Sequence, residues 1–194
     1  WAKNLLLNLP LKQYIKSKGS FLDIGCGHGH MVYSFRKIGY DSMGIDPEES
    51  YIEFCKKNNL NVIKTDLISF KTKKKFDIIT MVAVLNHIPD QKAFLKKTRE
   101  LLKDGGIFLL ETPDMYHPEA LNPLLGAPHP LNNTKRSIAI MLNKIGFNVL
   151  DISEGAVNKR LRVIARKAKP KKISYKDLKY GDYKSVIKAI KRYH

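Results

Sequence analysis

The sequence has few cysteines and no long hydrophobic run. Two cysteines in 194 residues, Cys26 and Cys55, are too few for a disulfide framework or a cysteine zinc site. No apolar stretch approaches the roughly twenty residues needed to cross a bilayer. The apolar segment 5–10 is too short for a signal peptide and lacks a cleavage site. We therefore expect a globular cytoplasmic protein without a membrane span.

Acidic residues are also scarce relative to basic ones. The chain has 35 Lys and Arg against 18 Asp and Glu, which gives a formal net charge of +17 at pH 7. Such a charge favours association with polyanions. Lysine outnumbers arginine about fourfold and is spread along the chain, whereas nucleic-acid readers favour arginine for bidentate contacts. Nucleic acid is therefore a possible partner that the sequence does not favour.

The length and the order of patterns predict a single α/β domain. A chain of 194 residues can bury one core but is short for two. Strand-like and helix-like segments alternate, and the apolar run 76–84 is typical of a parallel strand buried on both faces. The predicted domain covers residues 1–167. Residues 168–194 form a basic C-terminal extension that we predict to be partly helical.

The pattern after that apolar run predicts a helix and then a fifth strand. Residues 91–103 carry apolar side chains at helical spacing, and Asp104-Gly105-Gly106 is a typical helix stop. The apolar segment 107–112 follows at once. The prediction therefore separates helix and strand by a three-residue turn.

A strand-like segment near the start leads into three glycines at alternate positions, Gly25, Gly27 and Gly29, with Asp23 before them. Glycines let a chain turn sharply from strand to helix, and we expect them to leave bare amide groups for a ligand. A dinucleotide-binding fingerprint needs a glycine at its sixth place, where this chain has His30. The spacing therefore favours a nucleoside cofactor and disfavours NAD and FAD.

Two more acids end predicted strands. Asp46 lies about twenty residues after the first glycine, where a ribose-binding acid lies in a nucleotide-binding βαβ unit. The alternative is that Asp46 caps the next helix beside Pro47. Asp66 ends the third predicted strand. Because open α/β sheets bind ligands beyond the carboxyl ends of their strands, these acids and the glycines belong to one site.

These features occur in the order seen in a known family. The run Asp23-x-Gly25-x-Gly27-x-Gly29, the later acids and Leu-Asn-His-Ile-Pro-Asp at 85–90 resemble the motifs of class I S-adenosylmethionine (SAM) methyltransferases over roughly residues 1–167. The resemblance implies a Rossmann-like, doubly wound, seven-stranded sheet of order 3-2-1-4-5-7-6 with strand 7 antiparallel. It implies that the glycines contact the methionine and ribose parts of SAM and that Asp66 faces the adenine amino group. The cofactor-binding residues implied are Asp23, Gly25, Cys26, Gly27, Gly29, Asp46, Pro47, Asp66, Leu67, Val82 and Ala83.

Two histidines are candidate catalytic residues. An oxygen or nitrogen acceptor must lose a proton, and a neutral imidazole near the methyl group can take it. His87 follows the fourth predicted strand directly, although it could instead be a structural histidine that fixes its loop. His129 lies in a long segment after the fifth strand, and loops of that length usually carry function. Tyr116 and His129 are also candidate acceptor-site residues.

The expected metal ligands are missing. In the ubiquinone-type O-methyltransferases a Glu-x-x-Glu-His cluster holds a divalent metal, and the aligned positions here are Ala83, Asn86 and His87. Hard cations prefer several oxygen ligands, so we expect no catalytic metal. The Asn/Asp-Pro-Pro-aromatic signature of enzymes that methylate amino groups of nucleic acids is also absent. The resemblance thus implies methyl transfer from SAM to a small molecule, with oxygen favoured over nitrogen as the acceptor atom, and the missing carboxylates predict that the transfer is metal-independent.

Two alternatives stay open. The basic surface could hold RNA or a protein as the acceptor, or the chain could be a noncatalytic methyltransferase-like subunit. The complete glycine motif and Asp46 argue against the second alternative. The sequence does not indicate an oligomeric state.

Overall fold

The computed structural model describes residues 11–16, 18–114, 133–154 and 160–170. Its strands are β1 (Ser20–Ile24), β2 (Asp41–Asp46), β3 (Val62–Lys64), β4 (Phe76–Val82), β5 (Leu102–Pro113), β6 (Phe147–Glu154) and β7 (Arg160–Lys167). They form one sheet of order β3-β2-β1-β4-β5-β7-β6. The first five strands pair in parallel, and β7 runs antiparallel to both of its neighbours. The predicted fold class, strand order and reversed strand are confirmed.

Among the described residues, four α-helices flank the sheet: α1 (His30–Lys37), α2 (Glu49–Lys57), α3 (Gln91–Leu101) and α4 (Lys135–Ile145). Short 3-10 turns occupy Lys12–Tyr14 and Leu85–His87. Side chains cap the N-termini of α3 and α4. Asp90 accepts a hydrogen bond from the amide of Ala93 at 2.9 Å, and Thr134 and Ser137 form a capping box. None of the described helices is long and apolar enough to cross a membrane.

Side chains alternate along the strands between two apolar layers. On β5, Phe108 and Leu110 join the layer that also contains core residues of α3 and α4. Ile107 and Leu109 point to the other face, in the layer that contains Phe35 of α1. Both faces of the sheet are therefore covered, as a parallel sheet requires. Burying each large side chain stabilises the fold by about 1.5–3 kcal/mol.

The junction of α3 and β5 differs from the prediction. The helix ends at Leu101 and the strand begins at Leu102, which is fully buried and pairs with Phe76 of β4. The register then shifts, so that Ile78 pairs with Ile107. The predicted turn is therefore a bulge within the strand, with φ of +71° at Gly105. The helix is shorter than predicted because burial of Leu102 brings the chain into the sheet early.

Strand β7 ends at Lys167, and hydrogen bonds hold the next residue, Ala168, in place. The amide of Ala168 donates to the carbonyl of Gly146 at 2.8 Å. The Arg99 guanidinium donates to both the Gly146 and the Ala168 carbonyl, at 2.9 and 2.7 Å. Residues 171–194 lie outside the described residues, so the predicted division into 1–167 and 168–194 stays a prediction.

Candidate functional site

The candidate site lies at the carboxyl ends of β1, β2 and β4, where residues 25–29, the glycine loop, join β1 to α1. Its three glycines have φ values of +70°, +48° and +73°. This left-handed region is strained for residues with a side chain, so the sharp turn depends on glycine. The predicted turn from strand to helix is present.

Two of these glycines are needed for different reasons. A Cβ at Gly25 would lie 2.2 Å from Cγ2 of Val84, so this position must lack a side chain for the chain after β4 to close over it. At Gly27, a Cβ would meet no described atom within 4 Å outside its chain neighbours. Gly25 therefore serves packing of the protein itself, whereas Gly27 borders open space that a ligand could use.

Four of the five amide groups of the glycine loop are not bare. Those of Gly25 and Cys26 both donate to the carbonyl of Ile45, at 2.8 and 3.1 Å. The amide of Gly29 donates to the Cys26 carbonyl at 2.8 Å, and that of Gly27 donates to a carboxylate of β2. The expectation of bare amides is therefore wrong for these four residues. Room for a ligand is left by the missing side chain at Gly27, not by unused donors of these residues.

The carboxylate that accepts the hydrogen bond from the Gly27 amide belongs to Asp46. Its Oδ2 accepts from Gly27 at 2.9 Å and its Oδ1 accepts from the amide of Glu48 at 2.9 Å. Glu48, not Asp46, is the N-cap of α2, since its side chain accepts from the amide of Ser50 at 3.4 Å. A carboxylate oxygen can accept two hydrogen bonds. Asp46 can therefore fix the loop and still accept one hydrogen bond on each oxygen.

Asp23 lies deeper, within β1. Its side chain is buried, and Oδ1 accepts from the Thr80 hydroxyl of β4 at 2.6 Å. Burial raises the pKa of Asp23 to about 7, the Thr80 hydrogen bond opposes this shift, and the charge of Asp46 adds to it. Asp23 therefore links β1 to β4 beneath the glycine loop. Its predicted contact with the cofactor stays a prediction.

Cys26 also points into the protein. Its side chain packs in a cluster with Val32 of α1 and Cys55 of α2. A Cβ at Gly44 of β2 would lie 2.7 Å from the Cys26 sulfur, so the two residues pack tightly. The structure thus places the Cys26 thiol in the core, and a contact with the cofactor by this residue would have to involve its backbone.

A cavity of about 110 Å³ opens beside the glycine loop. Asp66 is exposed at this cavity, and hydrogen bonds from the hydroxyl and amide of Ser69 hold the pKa of its carboxyl below the usual value. A mostly apolar lining with one ionised carboxylate suits a flat heteroaromatic ring that carries an amino group. The lining residues are Ile24, Gly25, Ile45, Pro47, Thr65, Asp66, Leu67, Val84, Ile88 and Phe94.

The carboxyl end of β4 forms the other side of the site. Val82 is half-buried, and Ala83 has a φ of +57°, which is strained for a residue with a Cβ. The Ala83 amide donates to the carbonyl of Glu111 at 2.9 Å. His87, at the end of the next 3-10 turn, is exposed. Its catalytic role stays a prediction.

His129 and Tyr116 lie outside the described residues. Among the residues that are described, no three His, Cys, Asp or Glu side chains are close enough to hold a metal ion. Metal-independent chemistry nevertheless stays a prediction, based on the residues at 83 and 86.

The sequence did not reveal a buried ion pair near the site. Arg162 of β7 donates from Nε to Glu111 of β5 at 2.6 Å, with side chains only 9% and 3% exposed. The two residues are paired across the antiparallel strands. They are 51 positions apart in the chain, so no local spacing could have predicted their contact.

Comparison with known families agrees with this geometry. A family model described as "Methyltransferase domain" matches residues 1–152. The chain belongs to this methyltransferase family. Its predicted assignment to the class I SAM-dependent methyltransferases is thereby confirmed, and the match covers the glycine loop and the acids at the carboxyl ends of β2 and β3.

Curated relatives include the ubiquinone biosynthesis O-methyltransferase of Coxiella burnetii, 32% identical over 130 residues, which are 63% of this methyltransferase chain and 56% of that protein. The chain thus spans little more than half the length of that relative. A second relative of the same name, from Methylococcus capsulatus, is 28% identical over 141 residues, with 66% and 60% covered.

Among solved structures, a SAM-dependent methyltransferase from Archaeoglobus fulgidus superposes with a TM-score of 0.69 at 20% identity, covering 86% of this chain and 95% of that one. At this identity the similarity shows a shared fold.

Proposed function

We propose that this methyltransferase transfers a methyl group from SAM to an oxygen of a small-molecule acceptor, without a catalytic metal. The arrangement of Gly27 and Asp46 carries the proposal. Open space at Gly27 lies next to a carboxylate whose two oxygens can each accept one more hydrogen bond. A ribose presents two adjacent hydroxyl donors, which match these two acceptor positions.

The rest of the cleft fits the cofactor. The cavity beside the loop can take the adenine ring between apolar side chains, including Leu67, with Asp66 as the acceptor for its amino group. Asp46 and Asp66 also place negative charge beside a ligand that carries a positive sulfonium. When bound, SAM supplies an electrophilic methyl group, and the chain contributes its position and orientation.

His87 is the proposed base. It lies five residues beyond the end of β4, at the same end of the sheet as Gly27 and Asp46, and its side chain is exposed. A neutral imidazole there can take the proton of an acceptor hydroxyl. Transfer to oxygen is supported by the name of the Coxiella burnetii relative. The proposed absence of a metal is supported by the lack of carboxylates at Ala83 and Asn86.

The test is cofactor binding by wild type and Asp46→Ala, measured by calorimetry with SAM and with its product S-adenosylhomocysteine (SAH). Loss of two hydrogen bonds to a charged group should weaken binding at least about tenfold. Asp41→Ala is the matched control, because Asp41 lies at the other end of β2, where it pairs with Lys74 on the surface. Wild type that binds neither compound, or Asp46→Ala that binds as well as wild type, would contradict the proposal.

Turnover tests the acceptor class. Wild type incubated with SAM carrying a tritiated methyl group should label phenolic or other hydroxyl-bearing small molecules, and EDTA should not reduce the rate. His87→Ala should lower kcat about 10²-fold or more and leave SAH affinity unchanged. Labelling only of RNA or protein would contradict a small-molecule acceptor, and inhibition by EDTA would contradict metal independence.

A further inference from the structure

Helix α2 contacts the glycine loop through aromatic side chains. The ring of His28, between Gly27 and Gly29, packs edge-on against Tyr51 at 4.8 Å and Phe54 at 5.0 Å between ring centroids. Tyr51 and Phe54 are three residues apart and so lie on one face of the helix. They are 36% and 45% exposed, although large aromatic side chains usually lie inside. Each of these exposed rings packs against the His28 ring and so connects α2 to the glycine loop.

A third residue of the same helix face holds the neighbouring glycine. The Cys55 thiol donates to the carbonyl of Gly27 at 3.3 Å, while the Gly27 amide donates to Asp46. Burial raises the pKa of Cys55, so the thiol stays protonated and remains a donor. Gly27 is thus held at both its N–H and its C=O, and the next residue is held by its side chain.

Such anchoring matters because the loop is rich in glycine. Each glycine loses more backbone freedom than any other residue when its conformation becomes fixed, and ordering a residue costs about 1–2 kcal/mol. A loop that orders only when the ligand arrives loses this free energy from binding. His28 is the only residue between Gly27 and Gly29. Its side chain is therefore the one that can anchor this part of the glycine loop before a ligand binds.

We propose that His28, packed against Tyr51 and Phe54, is a positioning residue that fixes the glycine loop relative to Asp46 before the cofactor binds. This inference rests on the proposed function, because it concerns affinity for SAM and SAH. The contact is one of aromatic edges and faces, so another aromatic ring can replace the imidazole. Loss of the ring should raise KM for SAM and leave kcat at saturating SAM almost unchanged.

The experiment compares SAH affinity, by calorimetry, in wild type, His28→Ala, His28→Phe and Phe54→Ala. His28→Ala should bind about tenfold more weakly, and His28→Phe should stay within about twofold of wild type. Tyr33→Ala is the control, since Tyr33 is a similarly exposed aromatic of α1 whose ring lies near Arg36 and Lys37. It should bind like wild type.

A double-mutant cycle separates the contact from general damage. Once the His28 ring is absent, Phe54→Ala should weaken binding by much less than it does in wild type. Equal affinity of His28→Ala and wild type, additive effects in the cycle, or loss of affinity in His28→Phe would each overturn the positioning role. Wild type that does not bind SAH would instead overturn the proposed function, and the positioning role with it.

Discussion

The two sides of the candidate site are built differently. On the β1–β2 side, Asp46 is held by the amides of Gly27 and Glu48, which are 19 and 2 positions away in the chain. On the β4–β5 side, strained Ala83 is held by the Glu111 carbonyl, and Glu111 pairs with Arg162 another 51 positions on. The β1–β2 side, proposed to bind the cofactor, therefore depends on hydrogen bonds that the Asp46 carboxylate accepts from nearby backbone amides, whereas the other side depends on distant strands of the sheet.

Removing one partner of the buried pair should have the largest effect on stability. Arg162→Ala leaves Glu111 buried without its counterion, which should lower the free energy of unfolding by about 3–5 kcal/mol. Denaturant unfolding measures this change. Lys74→Ala, which breaks the exposed pair with Asp41, is the control and should change stability by less than about 1 kcal/mol. If the two variants were equally stable, the buried pair would not hold the β4–β5 side together.

The glycine pair distinguishes packing from ligand binding. Gly25→Ala places a methyl group against Val84 and strains a positive φ, so it should destabilise the protein by about 2–4 kcal/mol. Gly27→Ala strains φ alone and should cost only about 1 kcal/mol, but its methyl group fills the ligand space and should weaken SAH binding at least about tenfold. Thermal unfolding and calorimetry measure the two effects. Equal SAH binding by Gly27→Ala and wild type would contradict the assignment of that space to the ligand.

The pKa of Asp23 should make stability depend on pH. The folded protein holds this proton more tightly than the unfolded chain, since the pKa rises from 3.8 to about 7 on folding. The free energy of unfolding should therefore fall as the pH rises from about 4 to about 7, by at most about 1.4 kcal/mol per pH unit, and level off above. Asp23→Asn keeps the shape and should lose this slope.

Asp77→Asn is the control for this measurement. Burial alone would raise the pKa of Asp77, but hydrogen bonds from Lys103 and Ser20 hold it below the usual value. The stability from Asp77 is therefore complete above its ordinary pKa and is lost as the pH falls below it. Asp77→Asn should leave the slope between pH 4 and 7 in place. A flat wild-type profile in that range would show that Asp23 is not shifted upward.

Sequence reasoning located the strands because apolar runs are local signals, and it took their order in the sheet from the resemblance to the methyltransferase family. The period of apolar residues revealed the strands, and the glycine motif with Asp46 at its expected spacing indicated the cofactor side. It did not predict which acceptors the loop amides use, because Ile45 reaches them only once β2 lies beside β1. The hydrogen bonds of Asp46 to the Gly27 and Glu48 amides could not be predicted either, because the Gly27 bond also forms only when β2 lies beside β1.

The other side of the site was harder to predict. The positive φ of Ala83 and the Glu111–Arg162 pair arise from contacts between β4, β5 and β7. Such contacts follow from how the sheet assembles, and they have no fixed spacing in the chain. The early end of α3 has a similar cause, because pairing of Leu102 with Phe76 competes with continuation of the helix.

The direction of β7 decides where the chain leaves the sheet. Because β7 runs against its neighbours, Ala168 lies at the end of the sheet where the parallel strands begin, and Arg99 anchors it there. The loop that carries Gly27 lies at the opposite end. A fluorescent label attached at position 170 would therefore lie at the end of the sheet opposite to Gly27.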